Sequence, residues 1–455
     1  MNLSLKLIRA ANKPRVSAAL ALVVAGLGLA SCDDAGGDPR RQIGANPVLP
    51  AVQQYLLPPI RIARPVPWGN NTPSVPNGLQ IHALATGFQH PRSLYVLPNG
   101  DVLVVESNGP KAPVFRPKDI ITGFVQTFAG AKAKDANRIT LLRDTNGDGV
   151  PEVRSVFLDH LNSPFGVALV GHYLYVANTD AIIRYPYQDG QTSITAPGTK
   201  LTDLPGGPID HHWTKSLVAS PDGAKLYVGV GSNSNVAENG LEAEHERAAI
   251  WEVDTTTGAH RIYASGVRNP TGLQFEPVSG KLWAIANERD EIGPDLVPDY
   301  LTSVQDGGFY GWPYSYYGRH LDPRVKPQRP DLVARAIMPD YALSSHVAPL
   351  GIAMYTGNNL PATYRGGAFV GEHGSWDRTP LNGYKVVFVP FSGGKPSGIA
   401  QDVVTGFLDA NNHTRGRPVG LAVDRNGALL ISDDVGNTVW RVSAAPAEPA
   451  NKPAS

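Results

Sequence analysis

SGVRNPTGLQFEPVSGKLWAIAN, from Ser265 to Asn287, holds a polar cluster, a proline corner and two apolar alternations separated by a glycine-bearing turn. Alternation of period two with turn residues between reads as a strand pair. The layout returns near His90-Pro91, Asn162-Ser163-Pro164, His211-His212, His346 to Pro349 and Arg415 to Pro418, about six copies in all. Their turns are PNG at Pro98, VGH at Val170, PDG at Pro221, VSG at Val278, RGG at Arg365 and RNG at Arg425. Periodicity of this kind marks units that bury their apolar faces on one another.

Spacings of roughly fifty to ninety residues, filled with short alternating runs, predict four-stranded blades set radially: an all-β, six-bladed β-propeller. In such a ring the same phase of every repeat reaches the same radius. The residues ahead of each proline, His90, Asn162, His211-His212, Arg268-Asn269, His346 and Arg415-x-Arg417, are therefore expected around the central axis. That set is too polar to be filler, although a wet propeller channel would also tolerate it.

Residues 1–31 read as an export signal, with Lys6, Arg9, Lys13 and Arg15 ahead of an apolar run from Ser17 to Ala30 that is short for a bilayer span. The run ends in Leu29-Ala30-Ser31-Cys32, which resembles a bacterial lipobox, and Cys32 is the sole cysteine. The resemblance implies acylation at Cys32 and a periplasm-facing protein anchored to the cell envelope. One acyl chain binds marginally at about 0.8 kcal/mol per buried methylene, so several chains are implied for a stable anchor. With one cysteine, no internal disulfide, covalent c-type haem or cysteine-based zinc site is possible. Residues 32–60, rich in Asp, Gly and Pro, read as a flexible tether, followed by the propeller over 61–443 and a flexible tail over 444–455.

Forty basic and forty acidic residues balance to zero, and no basic stripe asks for nucleic acid. Asp144, Asn146 and Asp148, with Glu152 beyond, have the alternate-oxygen spacing that wraps calcium, but a full EF-hand loop would carry a twelfth-position glutamate. The run from Gly206 to Lys215 puts His211 and His212 in the axial phase, where an imidazole can act as a base near neutral pH. The Ser/Asn-rich loop Gly229 to Gly240 shares that phase and lacks the lysine and helix of a phosphate-binding loop. Asp433-Asp434, beyond a strand, could be argued for a metal but reads better as a polar turn.

HHWTK at His211, SPDGAKLYVGVGSNSNVAENG from Ser220, ASGVRNPTG from Ala264, NERDEIGPDLVPDYL from Asn287, GGFYGWP from Gly307, GEHGSWDR from Gly371 and RGRPVG from Arg415 resemble the sorbosone dehydrogenase family. More distantly they are similar to soluble quinoprotein glucose and aldose dehydrogenases, propellers that bind pyrroloquinoline quinone. The resemblance spans about Arg61 to Arg441 and implies cofactor contacts from Arg268 and Asn269 and carboxylate binding by Arg415 and Arg417. Guanidinium forks suit a cofactor with three carboxylates. It also implies Ca²⁺ held by the backbone carbonyls near Arg289 and Asp290, acting as a Lewis acid.

In the glucose enzymes the catalytic histidine follows an aspartate and precedes a basic residue and a leucine. Counting back from Leu217 selects His212, whereas counting from Asp210 selects His211. His212 is preferred because the strand downstream fixes the register, and on extended chain neighbouring side chains point opposite ways. Two departures stand out: the family's glutamine aligns near Leu161, beside Asn162, and its lysine near His373. These put the glucose preference in doubt.

The implied reaction is oxidation of a sugar hydroxyl or hydrated aldehyde, with the histidine as base and electrons passed to an external cytochrome or quinone. Competing readings are a lipid-anchored propeller that binds a glycan or protein without redox chemistry, and a propeller lactonase, which would need axial carboxylates on a metal. The insertion from Tyr300 to Tyr341, with Phe309, Tyr310, Trp312, Tyr314, Tyr316 and Tyr317, is expected over the axial mouth or packed on a blade.

Overall fold

A computed structural model describes residues 36–53, 60–110 and 136–446. The signal segment and Cys32 lie outside the described residues. Within them, no helix is long and apolar enough to cross a membrane.

Six antiparallel sheets form the blades. Their inner strands, in chain order, are Pro91–Val96, Gly166–Val170, Lys215–Ala219, Asn269–Phe275, Pro349–Tyr355 and Pro418–Val423. These are the six repeats read from the sequence, five of them entered through a proline. Each inner strand packs on the next, and the sixth packs on the first, so the ring is closed. Blade 6 is completed by the first long strand: Leu79–Thr86 pairs antiparallel with Thr438–Ala444.

The glycines of the repeat have a packing reason. A Cβ on Gly351 of blade 5 would lie 2.0 Å from the Val419 carbonyl oxygen of blade 6, and one on Gly420 would lie 2.4 Å from that of Arg92 in blade 1. Neighbouring inner strands thus approach backbone to backbone, which only hydrogen at Cα permits. Hydroxyls bridge the same seams: Ser216 Oγ donates to the Pro270 carbonyl at 2.9 Å and Thr271 Oγ1 to that of Pro349 at 2.5 Å. Away from the axis, a separate apolar cluster fills each gap between blades, such as Trp283, Ile285, Leu301, Ile352, Val370 and Val387 between blades 4 and 5.

Two segments depart from expectation. Residues 36–53, part of the span read as tether, lie against blades 4 and 5. Ile43 and Gly44 pair with Leu343 and Ala342 of the outermost long strand of blade 4. Buried Gln42 donates to the Asp295 carbonyl at 2.5 Å and accepts from the Ser345 amide at 3.1 Å. Composition suggested a linker because the apolar residues that pack here, Ile43, Leu49 and Val52, are few and follow no period.

The aromatic insertion falls between the third and fourth strands of blade 4, after Ser303. Gly308–Phe309 adds a parallel strand to blade 3. Tyr310, Tyr316 and Tyr317 are buried in the cluster between blades 3 and 4. The insertion is therefore mainly a staple between two blades, and Trp312, Tyr317, Asp322 and Arg324 are among its contacts with the axial loops.

Candidate active site

The loops that enter the inner strands and those that leave the second strands converge at one end of the axis. His212 belongs to the 210–214 loop, which a buried ion pair closes from below. Asp210 lies 2.9 Å from Arg247 and 3.7 Å from Lys215 Nζ, while Lys215 also donates to the Trp213 carbonyl at 3.0 Å. Burial brings Lys215 down to about 8 against the pull of Asp210. The aspartate and basic residue that bracket the histidines in the sequence are thus partners of one another.

Nδ1 of His212 stands 2.9 Å from both the carbonyl and the hydroxyl oxygen of Ser232. Ser232 Oγ donates its own hydrogen to the Ser234 carbonyl at 2.6 Å, so both Ser232 oxygens accept from Nδ1–H. The lone pair is then on Nε2. Burial pushes the imidazole well below its ordinary value, and the nearby Arg268 charge acts in the same direction. His211 and His212 lie in a turn, not on a strand, with rings edge to face at 4.6 Å. Strand alternation therefore does not separate them; exposure does, since His211 is exposed and His212 is half-buried.

Arg268 is buried and fully engaged. Its Nε donates to the Asn235 carbonyl at 3.2 Å, Nη1 to that of Glu288 at 2.5 Å, and Nη2 to Asn235 Oδ1 at 3.0 Å and Asp290 Oδ2 at 2.9 Å. This arginine positions the loops. Its neighbour Asn269 has a buried Oδ1 without a hydrogen-bond partner. A Cβ on Gly231 would lie 2.5 Å from that oxygen and 2.4 Å from His212 Cβ, so the glycine lets the two side chains share one wall. Asn235, from the Ser/Asn-rich loop, also accepts from Trp312 Nε1 through its carbonyl at 2.9 Å.

On the opposite wall, buried Arg417 is stacked 4.7 Å from the Tyr384 ring centroid, while its Nε and Nη2 have no hydrogen-bond partner. Arg415 is half-buried two residues earlier. His373 lies 3.0 Å from Asp434 Oδ2, and burial lowers its imidazole to about 4. Burial alone would raise the Asp434 carboxyl, yet His373, His90 and Arg92 hold it well below the usual carboxylate range. Asp434, read from sequence as part of a turn, is thus the hub of an axial charge cluster. Arg92 links the two walls: it lies 2.5 Å from Asp434 and 5.7 Å from the Phe165 and Trp213 ring centroids.

The residues proposed for metal separate into two places. Asp290 is axial; its backbone carbonyl accepts from Asn235 Nδ2 at 3.1 Å and from the Arg289 guanidinium, which also pairs with Asp322. Asp144, Asn146 and Asp148 form an exposed turn of blade 1, where Asp144 accepts from the Gly147 and Gly149 amides at 2.6 and 2.7 Å. Asp144, Asp148 and Glu152 do converge there, in the turn between the third and fourth strands of blade 1. Sequence reasoning missed a third grouping, Asp290, His346 and Asp377. His346 was visible in its repeat phase; Asp377 follows a second strand, where no repeat signal marks it.

The glucose/sorbosone dehydrogenase family profile matches residues 172–376, and a TrAA12-like profile matches 331–445. A pyrroloquinoline quinone-dependent sugar dehydrogenase of Hypocrea jecorina is 22% identical over 413 residues, covering 80% of this chain and 87% of that protein. Over residues 172–376 the chain is thus similar to the glucose/sorbosone dehydrogenase family. Among solved structures, the holo pyranose dehydrogenase PQQ domain from Coprinopsis cinerea aligns with TM-score 0.66 at 20% identity, over 82% of this chain and 97% of that one. The calcium structure of the Trichoderma reesei family AA12 enzyme aligns with TM-score 0.67 at 19% identity, over 85% and 99%. At these identities the structural likeness shows a shared fold.

Glucose/sorbosone dehydrogenase relatives are named for a quinone with three carboxylates, and the axial residues fit such a group. Arg417 has two buried N–H-bearing nitrogens without partners, and Asn269 has an unpartnered buried oxygen. Buried polar atoms of this kind are costly unless something binds them.

Proposed function

We propose that the chain is a pyrroloquinoline quinone-dependent dehydrogenase that oxidises a sugar, either a keto-aldose of the sorbosone type to its acid or an aldose to its lactone. The observation that carries this reading is the buried Arg417 fork with two unpartnered nitrogens. Arg417 and Arg415 would hold the cofactor carboxylates, Asn269 would meet its polar edge, and Arg268 would keep Asn235 and Asp290 in place. Bound there, the quinone supplies a two-electron acceptor.

His212 accepts the proton of the sugar hydroxyl at Nε2, and Ser232 holds the other nitrogen as donor. Its lowered pKa keeps it neutral and ready as a base at neutral pH. Calcium beside Asp290 would polarise the acceptor, and an external cytochrome or quinone would take the electrons away. Apo-protein given pyrroloquinoline quinone and Ca²⁺ should reduce a redox dye with one or more aldoses or keto-aldoses. No dye reduction with any sugar, despite measured cofactor binding, would reject the reading.

We also propose that Cys32 is acylated and holds the propeller at the cell envelope, facing the periplasm. Support comes from the lipobox-like Leu29-Ala30-Ser31-Cys32. A labelled fatty acid should enter the wild type and not Cys32→Ser; no label in the wild type rejects the anchor.

A further inference from the structure

The reaction above uses neither His346 nor Asp377, which group with the Asp290 side chain. Asp290 follows the second strand of blade 4, His346 precedes the inner strand of blade 5, and Asp377 follows its second strand. Three separate loops therefore bring these side chains together. His346 Nδ1 lies 3.4 Å from Asp290 Oδ1 and 3.4 Å from Asp377 Oδ1. His346 and Asp377 are 6% and 3% exposed, while Asp290 is half-buried, so the grouping opens toward solvent on the Asp290 side only.

Two features separate a metal site from a plain ion pair. First, an imidazolium donating to a carboxylate closes to about 2.7–2.9 Å, and neither contact has done so. Ligand atoms about 2.0–2.1 Å from a tetrahedral ion stand about 3.4 Å apart, which is the spacing seen on both edges. Second, Nε2 of His346 lies 3.0 Å from the Gly293 carbonyl oxygen, so Nε2 carries a hydrogen and donates it. That leaves Nδ1 as the ligating nitrogen, in the arrangement by which metal-bound histidines are oriented. Independently, buried Asp377 Oδ1 accepts no hydrogen bond.

We infer that Asp290, His346 and Asp377 bind a divalent cation of the zinc class. Imidazole favours zinc and its neighbours in the transition series, whereas calcium takes oxygen ligands. Two carboxylates, one of them shared with Arg268, and an imidazole make up the donor set. The site is distinct from a calcium held by backbone carbonyls, and it stands whether or not the sugar-oxidation reading does. Asp290 would bridge, giving Oδ1 to the ion and Oδ2 to Arg268 at 2.9 Å. The ion thus ties blade 4 to blade 5 and sets the arginine of the cofactor wall.

Metal analysis of the full protein purified without chelator should find about one equivalent of a zinc-class ion per chain. After chelation, cobalt(II) titration should give the visible bands of a tetrahedral nitrogen-oxygen site, unchanged by a large excess of calcium. His346→Gln and Asp377→Asn should each weaken cobalt binding by about a hundredfold or more. Glu152→Gln, in the exposed turn of blade 1, should bind like wild type. Circular dichroism shows whether each variant is folded, and the wild-type titration needs no variant. Absence of cobalt bands in the wild type, displacement by calcium, or bands that persist in both folded variants would overturn the assignment.

Discussion

Nδ1 of His212 donates to the carbonyl oxygen of Ser232 across 2.9 Å, and this contact decides which nitrogen of the ring is basic. His212→Ala should lower turnover by about a hundredfold or more, the scale of a lost general base, while cofactor binding stays near wild type. His211→Ala should cost less. The lowered imidazole pKa places the acid limb of the turnover profile below pH 6.5, because only protonation removes the base. Steady-state kinetics of both variants, with saturating cofactor and calcium, check the assignment; a greater loss in the His211 variant reverses it.

Arg417→Lys keeps a positive charge and removes the planar fork. Charge-assisted bonds contribute about 1.5–3 kcal/mol each. Losing the fork geometry is therefore expected to weaken quinone binding by about tenfold or more. Fluorescence titration of the apo-protein measures this, and affinity equal to wild type would remove Arg417 from the cofactor wall.

Glu372 gives a pH test of stability. Burial pushes its carboxyl up to about 8, with Lys385 opposing, and its Oε2 has no hydrogen-bond partner. A folded-state pKa above the unfolded one means that the native state holds its proton more tightly. Stability from this group is full below about pH 4.5 and is lost as pH rises to about 8. Glu372→Gln should therefore unfold at a higher temperature than wild type at pH 8.5 and show little advantage at pH 5. Thermal melts across that range read the difference.

Gly351→Ala places a methyl group against the Val419 carbonyl at the seam of blades 5 and 6. Overpacking typically costs about 1–3 kcal/mol, and here the obstacle is backbone on both sides. A clear drop in melting temperature is expected; Gly366→Ala, whose added methyl meets nothing within 4 Å, separates turn strain from crowding.

Much of this architecture could be read from the chain because four of the six repeats start with a proline followed two residues later by a close-packed glycine, two residues whose reasons are steric and local. That phase also delivered His212, Asn269, His346 and Arg417 to the axis. Asp377 and the axial role of Asp434 escaped notice because both sit on loops that leave second strands, where lengths differ and no residue type recurs. The docking of residues 36–53 was hidden for another reason. Gly36 N–H donates to the Thr379 carbonyl and Arg378 to that of Gly37, contacts that leave no trace in side-chain patterning.

Ring closure has a consequence for how the protein comes into being. Leu79–Thr86 pairs with Thr438–Ala444, nearly the whole chain later. During synthesis the N-terminal strand therefore emerges long before the edge it must join, and blades 1 to 5 can accumulate only as an open arc with one seam unfilled. Joining ends so far apart is slow relative to local hairpin formation. A chain delivered across a membrane unfolded would suit this order of events, since the final zipping would await release of the last strand.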